Sequence, residues 1–308
     1  MSKQNLPNFL IVGIAKCGTS SLHNYLAQHP QVFMSAVKEP RFITSQFTQF
    51  PLNGPGDDKV EEWYVKQYED YAKLFEDSSG ALAVGESSAD TAYFYNGSIP
   101  VIKKYLGDPK IIIVLRNPIK RACSAYQHLV RDEREDLPFE EALREERSRI
   151  HNNWELIYHY TAVSHYYEPV KAFMESFTNV LVILNEDLER NPRKTLLEVF
   201  KFLEIDSTVP IDTDVHHNMS GVPKIRWIHH FFFEENKLRK MIRPFVRLFL
   251  SHHLREKISN KIQETNLTRL KIDPTLQKKL AVLFRDDIRK LECLLKRDLS
   301  FWLKDKYR

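Results

Sequence analysis

Short apolar runs recur along this chain at the length of buried strands, each leading through a polar turn into a stretch of helical spacing. Residues 9–14 form a continuous apolar run broken only by Gly13, as expected of a strand covered on both faces. Thr19 or Ser20 is then placed to cap a helix reaching about Gln28, with Leu22, Tyr25 and Leu26 on its inner face. Residues 32–34 read as a short second strand, 81–85 as a third, 110–115 as the strongest, and 180–184 as a fifth. Residues 42–60 are rich in breakers, and 60–75 carry the aromatic spacing of an amphipathic helix. Pro118, Pro138 and Pro192 each stand where proline opens a helix, the first running to about Val130 and the last to Leu203. Residues 206–224 lack a pattern, and the rest reads as helical.

Strands alternating with helices predict an α/β fold: a P-loop-like, mostly parallel sheet with helices on both faces, plus a helical C-terminal extension. The 308 residues fit one domain, with a core over 1–205 and the extension over 206–308. Ligands of such sheets sit beyond the carboxyl ends of the strands, so the residues following each strand are the ones to read for chemistry.

Composition narrows this only a little. The net charge of +4 suits an anionic ligand without singling out nucleic acid. Three cysteines, Cys17, Cys123 and Cys293, give no disulfide framework and point to a reducing compartment. No apolar run approaches the ~18 residues of a membrane span, and the first strand starts too early for a signal peptide. A cytoplasmic protein is expected; the glycosylation patterns at Asn96 and Asn266 keep open a Golgi-lumen protein whose anchor is missing.

The turn after the first strand carries Gly13, Lys16, Cys17, Gly18, Thr19, Ser20 and Ser21. Glycine lets backbone amides converge on one anion, the helix behind adds its positive end, and Lys16 adds a full charge. It is not a Walker A loop, because the lysine precedes Gly18 by two residues instead of following it, and the strongest strand ends in Arg116 where a magnesium-binding aspartate would stand. Arg116 is suited to a phosphate, and Ser124 lies about two helical turns further on.

These two segments, in this order and each after a strand, resemble the sulfotransferase family, closest to its bacterial and carbohydrate (heparan-sulfate-like) members. Residues 186–188, Phe202-Leu203 and 297–302 look like further recurring features. The resemblance implies a co-substrate, 3′-phosphoadenosine 5′-phosphosulfate (PAPS), released as adenosine 3′,5′-bisphosphate, and no metal. It implies that Lys16, Cys17, Gly18, Thr19, Ser20 and Ser21 hold the 5′-phosphosulfate, and that Arg116 and Ser124 hold the 3′-phosphate. Ser220, Gly221 and Lys224, with Arg226 as an alternative to Lys224, look like the loop that folds over the nucleotide; a plain surface loop is the other reading.

Lys16 and Glu39 are the catalytic candidates. Glu39, in the Lys38-Glu39-Pro40-Arg41 segment, resembles the base of carbohydrate sulfotransferases; a surface pair with Lys38 or Arg41 is the alternative. Glu86 is the second candidate, as base or acceptor ligand, and Asp90 is read as a cap or turn residue before an acceptor ligand. Family members often carry a lysine near Ser87, which this chain lacks. His23 is read as packing or surface; His128, His151 and His159 are weaker candidates for an acceptor cleft. Cys17 fills a tight turn, and an anion site there would lower its pKa enough for oxidation to inhibit. A sugar hydroxyl on a glycan or glycolipid, or a small molecule, is the expected acceptor, and no nucleic acid partner is expected. The basic, aromatic segment 224–257 reads as packing helices, as a peripheral membrane contact, or as an acceptor wall. A kinase and a non-catalytic nucleotide-binding or membrane-adaptor module are the competing functions.

Overall fold

A computed structural model of the chain describes residues 6–213, 222–223, 267–268 and 272–304. Five strands, β1 (Phe9–Gly13), β2 (Val32–Met34), β3 (Ala83–Ser87), β4 (Lys110–Leu115) and β5 (Val180–Leu184), form one sheet in the order β2-β3-β1-β4-β5. Every pairing in it is parallel. Ile111 to Leu115 of β4 are fully buried, which for a strand requires cover on both faces. Burial of each such side chain contributes about 1.5–3 kcal/mol.

The helices are α1 (Thr19–Leu26), α2 (Phe42–Ser45), α3 (Asp57–Glu61), α4 (Tyr68–Lys73), α5 (Tyr95–Leu106), α6 (Pro118–Arg131), α7 (Phe139–His151), α8 (Tyr167–Ser176), α9 (Asn185–Arg190), α10 (Pro192–Leu203), α11 (Pro274–Leu295) and α12 (Phe301–Lys304). Asn117 caps α6, its Oδ1 accepting from the amides of Ile119 (3.0 Å) and Lys120 (3.1 Å). α11 supplies the C-terminal helical part. Leu276, Leu280, Phe284, Ile288 and Leu291 bury one face of it. Its Asp287 accepts from the amides of Tyr166 (2.8 Å) and Tyr167 (3.3 Å), fastening it to the start of α8.

Several expected boundaries move. β3 lies two residues downstream of 81–85, because the amides of Leu82 and Ala83 both bond the carbonyl of Gln31 and so set Val32 opposite Ala83. The shift puts Glu86 inside the strand. The helix expected over 60–75 is broken into α3 and α4. Between them the chain bonds the 40–45 segment instead, Val65 donating to the Pro40 carbonyl at 2.8 Å and accepting from Ser45 Oγ at 3.1 Å. Pro138 is the cap of α7, one residue ahead of its first turn. The C-terminal part is not helical throughout: β6 (Val222–Pro223) and β7 (Leu267–Thr268) pair antiparallel. α5, with Pro100 inside it, and α8 and α9 have no counterpart in the pattern reading.

Candidate active site

β1 lies at the centre of the sheet, with β3 on one side and β4 on the other, so the turn leaving β1 opens where neighbouring connections diverge. That turn is stretched between both neighbours. The Ile14 amide bonds the Val114 carbonyl (2.9 Å) and the Ala15 amide bonds the Ala89 carbonyl (3.1 Å). Lys16 (φ 71°) and Gly18 (φ 97°) take left-handed backbone, the geometry from which anion-binding concavities are built. At Gly18 any side chain is strained by the backbone, and a Cβ would lie 2.5 Å from Asn185 Nδ2, so Asn185 would have to shift. Gly18, not Thr19 or Ser20, holds the cap position of α1, and no side chain caps that helix. The hydroxyls of Thr19, Ser20 and Ser21 therefore stand in the first turn, beside amides that this helix end leaves unbonded.

Arg116 reaches this turn from the end of β4, its Nη1 donating to the Lys16 carbonyl at 3.3 Å. Ser124 is buried in α6. Arg121, which the sequence reading passed over, donates from Nε to the Ala15 carbonyl at 3.0 Å. Burial, with the charges of Arg131 and Arg121, brings Lys16 down to about 7, against the opposite pull of Asp132 and Glu39. Among the described residues its ammonium has no hydrogen-bond or ion-pair partner.

At the end of the neighbouring strand β3 stands a group of carboxyls, of which Glu39 is close enough for Lys16 to feel its charge. Residues 39–41 are laid on the end of β3: the Glu39 amide bonds the Ser87 carbonyl (3.0 Å) and the Arg41 amide bonds Ser88 Oγ (3.1 Å). Both residues are left-handed, a strain sites tolerate only when firmly held. Glu39 accepts from Lys38 Nζ at 2.9 Å and Arg41 Nη2 at 3.1 Å. Burial pushes its carboxyl up, but these cations outweigh it and hold it at about 2. Glu86 has no cation against it. Burial lifts it to about 8, the Ser88 hydroxyl at 2.7 Å opposing only partly. Asp90 is buried, with Oδ2 accepting from Thr44 at 2.5 Å, which ties α2 to the β3 turn; burial raises its pKa.

The family can be decided at this point: a model described as the sulfotransferase domain matches residues 6–265. The chain belongs to the sulfotransferase family. A sulfotransferase crystal structure from Alicyclobacillus acidocaldarius superposes with a TM-score of 0.77 at 33% identity, covering 97% of this chain and 99% of that one. The membrane-associated sulfotransferase kil1 of Dictyostelium discoideum is 32% identical over 39% of this chain and 22% of its own length. Bovine (Bos taurus) bifunctional heparan sulfate N-deacetylase/N-sulfotransferase 2 is 36% identical over 40% of this chain and 13% of its length. Mouse (Mus musculus) carbohydrate sulfotransferase 15 is 28% identical over 46% and 30%. The match thus spans less than a third of these curated relatives.

Beyond the two motifs, the sulfotransferase brings two of the three further segments, 186–188 and 297–302, to one place. Glu186 Oε1 accepts from the Asn117 amide (2.8 Å), the Trp302 carbonyl accepts from Asn117 Nδ2 (2.9 Å), and Arg297 pairs with Asp187. Residues far apart in sequence thus brace the turn that presents Arg116. The breaker-rich segment after β2 and the stretch around α7 also meet. Arg41 pairs with Glu155 (3.1 Å), Glu155 with Arg134 (3.0 Å), and Arg134 with Asp57. Glu39 makes both of the pairs, with Lys38 and with Arg41, that the sequence reading gave as its alternative role. Glu155, the buried acid on the far side of Arg41, went unread, because its partner lies 114 residues away in sequence.

One expectation is corrected. Cys17 is fully buried and 3.8 Å from the Tyr166 hydroxyl; burial pushes its thiol up to about 12, against the pull of Arg121. It is not a lowered-pKa thiol poised for oxidation. His151 is exposed at the end of α7, and among the described residues it has no partner in the group of carboxyls at the end of β3. His23 is a packing residue, buried and held at about 4 by desolvation and Lys38. His159 is buried against Tyr93 and held at about 4. His128 stands near Lys16 and, through burial and that charge, well below its ordinary value. Ser220, Gly221, Lys224 and Arg226, and with them the whole segment 224–257, lie outside the described residues. Among the described residues no helix is long and apolar enough to cross a membrane.

Proposed function

We propose that this chain transfers a sulfuryl group from PAPS to an acceptor hydroxyl, on a carbohydrate or glycolipid, by in-line displacement. The observation that carries the reading is the 3.3 Å contact of Arg116 with the Lys16 carbonyl. It sets a cationic turn and a guanidinium side by side, as the two ends of one bisphosphorylated adenosine require. In this reading Lys16, Gly18 and the first turn of α1 take the 5′-phosphosulfate, with Cys17 shaping the turn, and Arg116 and Ser124 take the 3′-phosphate. Ser220, Gly221 and Lys224 cover the nucleotide. The carbohydrate and heparan sulfate names among the relatives support the acceptor class.

The acceptor oxygen forms a bond to sulfur as the bond from sulfur to the bridging oxygen breaks, and adenosine 3′,5′-bisphosphate leaves. Lys16 stabilises the charge developing on the bridging oxygen. Glu39 takes the acceptor proton. At about 2 it is a weak base, yet it is ionised at neutral pH, whereas Glu86 at about 8 is mostly protonated there and is the poorer candidate. By analogy with phosphoryl transfer, a loose transition state releases the proton late, when the acceptor oxygen has become acidic, so a weak, well-placed base suffices.

Calorimetric titration with adenosine 3′,5′-bisphosphate, without metal, and with ATP and magnesium tests the reading. Metal-free binding of the bisphosphate, lost in Lys16→Ala and Arg116→Ala, is expected; preference for magnesium ATP would overturn it. Glu39→Gln is expected to keep bisphosphate affinity and lose turnover by about 10²–10⁴-fold. Full turnover in that variant removes Glu39 as the base.

A further inference from the structure

Arg121 is fully buried, yet it pairs with no carboxylate among the described residues. Its Nε donates to the Ala15 carbonyl (3.0 Å) and its Nη1 to the carbonyls of His159 (3.1 Å) and Tyr160 (3.0 Å). Its Nη2 is buried with no partner there. Glu146 is close enough for its charge to be felt, but its oxygens are taken by the Thr161 amide (2.9 Å) and hydroxyl (2.7 Å) and the Ala162 amide (2.7 Å). A buried, uncompensated guanidinium is costly, and such a charge persists where something else balances it. It lies directly beneath the turn that carries Lys16.

We propose that Arg121 is the positioning residue of the 5′ anion turn, and that the bound nucleotide's 5′ anion supplies the counter-charge Arg121 lacks. This rests on the sulfotransferase reading and goes beyond it, because Arg121 need not touch the ligand. Nε fixes the Ala15 carbonyl, and because the Lys16 amide shares that peptide plane and points the opposite way, it is held facing away from Arg121; the Cys17 amide is spent on the Ile14 carbonyl (3.0 Å), and the unneutralised charge adds to the field of the turn. The same charge resists a second ammonium nearby, and it is among the influences that lower Lys16. Ligand binding relieves both strains together.

The test compares adenosine 3′,5′-bisphosphate with adenosine 3′-monophosphate, which lacks the 5′ anion, by calorimetry on the wild type, Lys16→Ala, Arg121→Met and Arg121→Lys. Arg121→Met is expected to weaken the bisphosphate about 10- to 100-fold, the size of one charge-assisted interaction, and to leave the 3′-monophosphate unchanged. Arg121→Lys keeps the charge and loses the fork; it is expected to weaken the bisphosphate by less than about tenfold, again without affecting the monophosphate. This second variant decides the matter if the first does not fold. Equal losses for both ligands in either variant mark a general structural role and overturn the proposal, as does an unchanged bisphosphate affinity in Arg121→Met. A wild type that binds no bisphosphate overturns the sulfotransferase reading and this inference with it. Binding lost in Lys16→Ala but kept in Arg121→Met overturns this inference alone.

Discussion

Two neighbouring regions handle charge in opposite ways. At the turn after β1, which the proposed function gives to the nucleotide, Lys16, Arg116 and Arg121 have no carboxylate partner among the described residues; the two arginines are occupied by main-chain carbonyls. In the loops around residues 40–57 and 134–155, which the same proposal gives to the acceptor, Arg41, Arg134 and Arg149 are each matched to an acid: Arg41 to Glu39 and Glu155, Arg134 to Glu155 and Asp57, Arg149 to Glu135. A carbonyl fixes a guanidinium in place without cancelling its charge, whereas a carboxylate does both. The first arrangement leaves positive potential for an anion to use. The second spends its charge on holding loops together, which suits a wall that must keep its shape around an uncharged hydroxyl.

The largest effect should come from breaking the ion-pair ladder. Glu155→Ala leaves Arg41 and Arg134 short of a buried partner and is expected to cost about 3–5 kcal/mol of stability by denaturant unfolding. If the two sides are as separate as their chemistry suggests, the affinity of the folded variant for adenosine 3′,5′-bisphosphate stays at the wild-type value while the acceptor KM rises. A matching loss of nucleotide affinity would show that the ladder also supports the anion turn. Next in size is Lys16→Ala, expected to lower kcat/KM by about 10²–10³-fold, as for removal of one preorganised charge donor, with stability little changed or improved because a half-buried cation is gone.

Gly18→Ala should act on both stability and binding, since its Cβ meets Asn185 and its φ is left-handed. A loss of about 1–3 kcal/mol is expected. Gly18→Ala combined with Asn185→Ala removes the clash and retains only the backbone cost of about 1 kcal/mol. If the double variant is no more stable than the single one, the crowding at Asn185 is not what demands glycine.

The same division explains what the sequence made legible. On the nucleotide side the determinants are local: a strand, a glycine turn and a helix are contiguous, so residues 9–26 could be read in order, as could β4 and its Arg116. Strands β2, β4 and β5 and helix α10 follow from uninterrupted apolar runs or a proline start, and their ends match the pattern. The region proposed for the acceptor is built from contacts across roughly a hundred positions. Asn53 donates to the Asn153 carbonyl at 3.1 Å through its amide and to the Asn152 carbonyl at 2.9 Å through its side chain, and no periodicity encodes such a pairing. The 60–75 aromatics misled for a related reason. Their spacing suits a helix, but Tyr64 reaches the core from the turn between α3 and α4, Tyr71 from α4 and Phe75 from just past its end, while Trp63 is left 65% exposed. β3 slid because Glu86 and Ser87 look like the start of a loop, although they are buried strand residues. Arg121 went unread because a helix arginine carries no sign that it is buried.

The smallest effect is the most specific to the unneutralised side. Lys16 stands at about 7 in the free protein, lowered by burial first and then by Arg131. Between that value and the ~10.4 of an unfolded lysine, the folded chain holds fewer protons than the unfolded one. The burial cost of Lys16 is therefore fully felt below pH 7 and fades as pH rises, so it works against stability at low pH. Binding runs the other way. The anion needs the ammonium, so the affinity for adenosine 3′,5′-bisphosphate should fall above about pH 7, by at most tenfold per pH unit. Lys16→Arg keeps its charge throughout and should flatten that slope. Glu39, held at about 2, contributes nothing in this range, but Glu86 titrates at about 8 and adds negative charge in the same crevice. Glu86→Gln separates the two: a slope that survives in it and disappears in Lys16→Arg belongs to the lysine. A slope that disappears in Glu86→Gln instead would mean that the acceptor side's charge reaches the nucleotide after all.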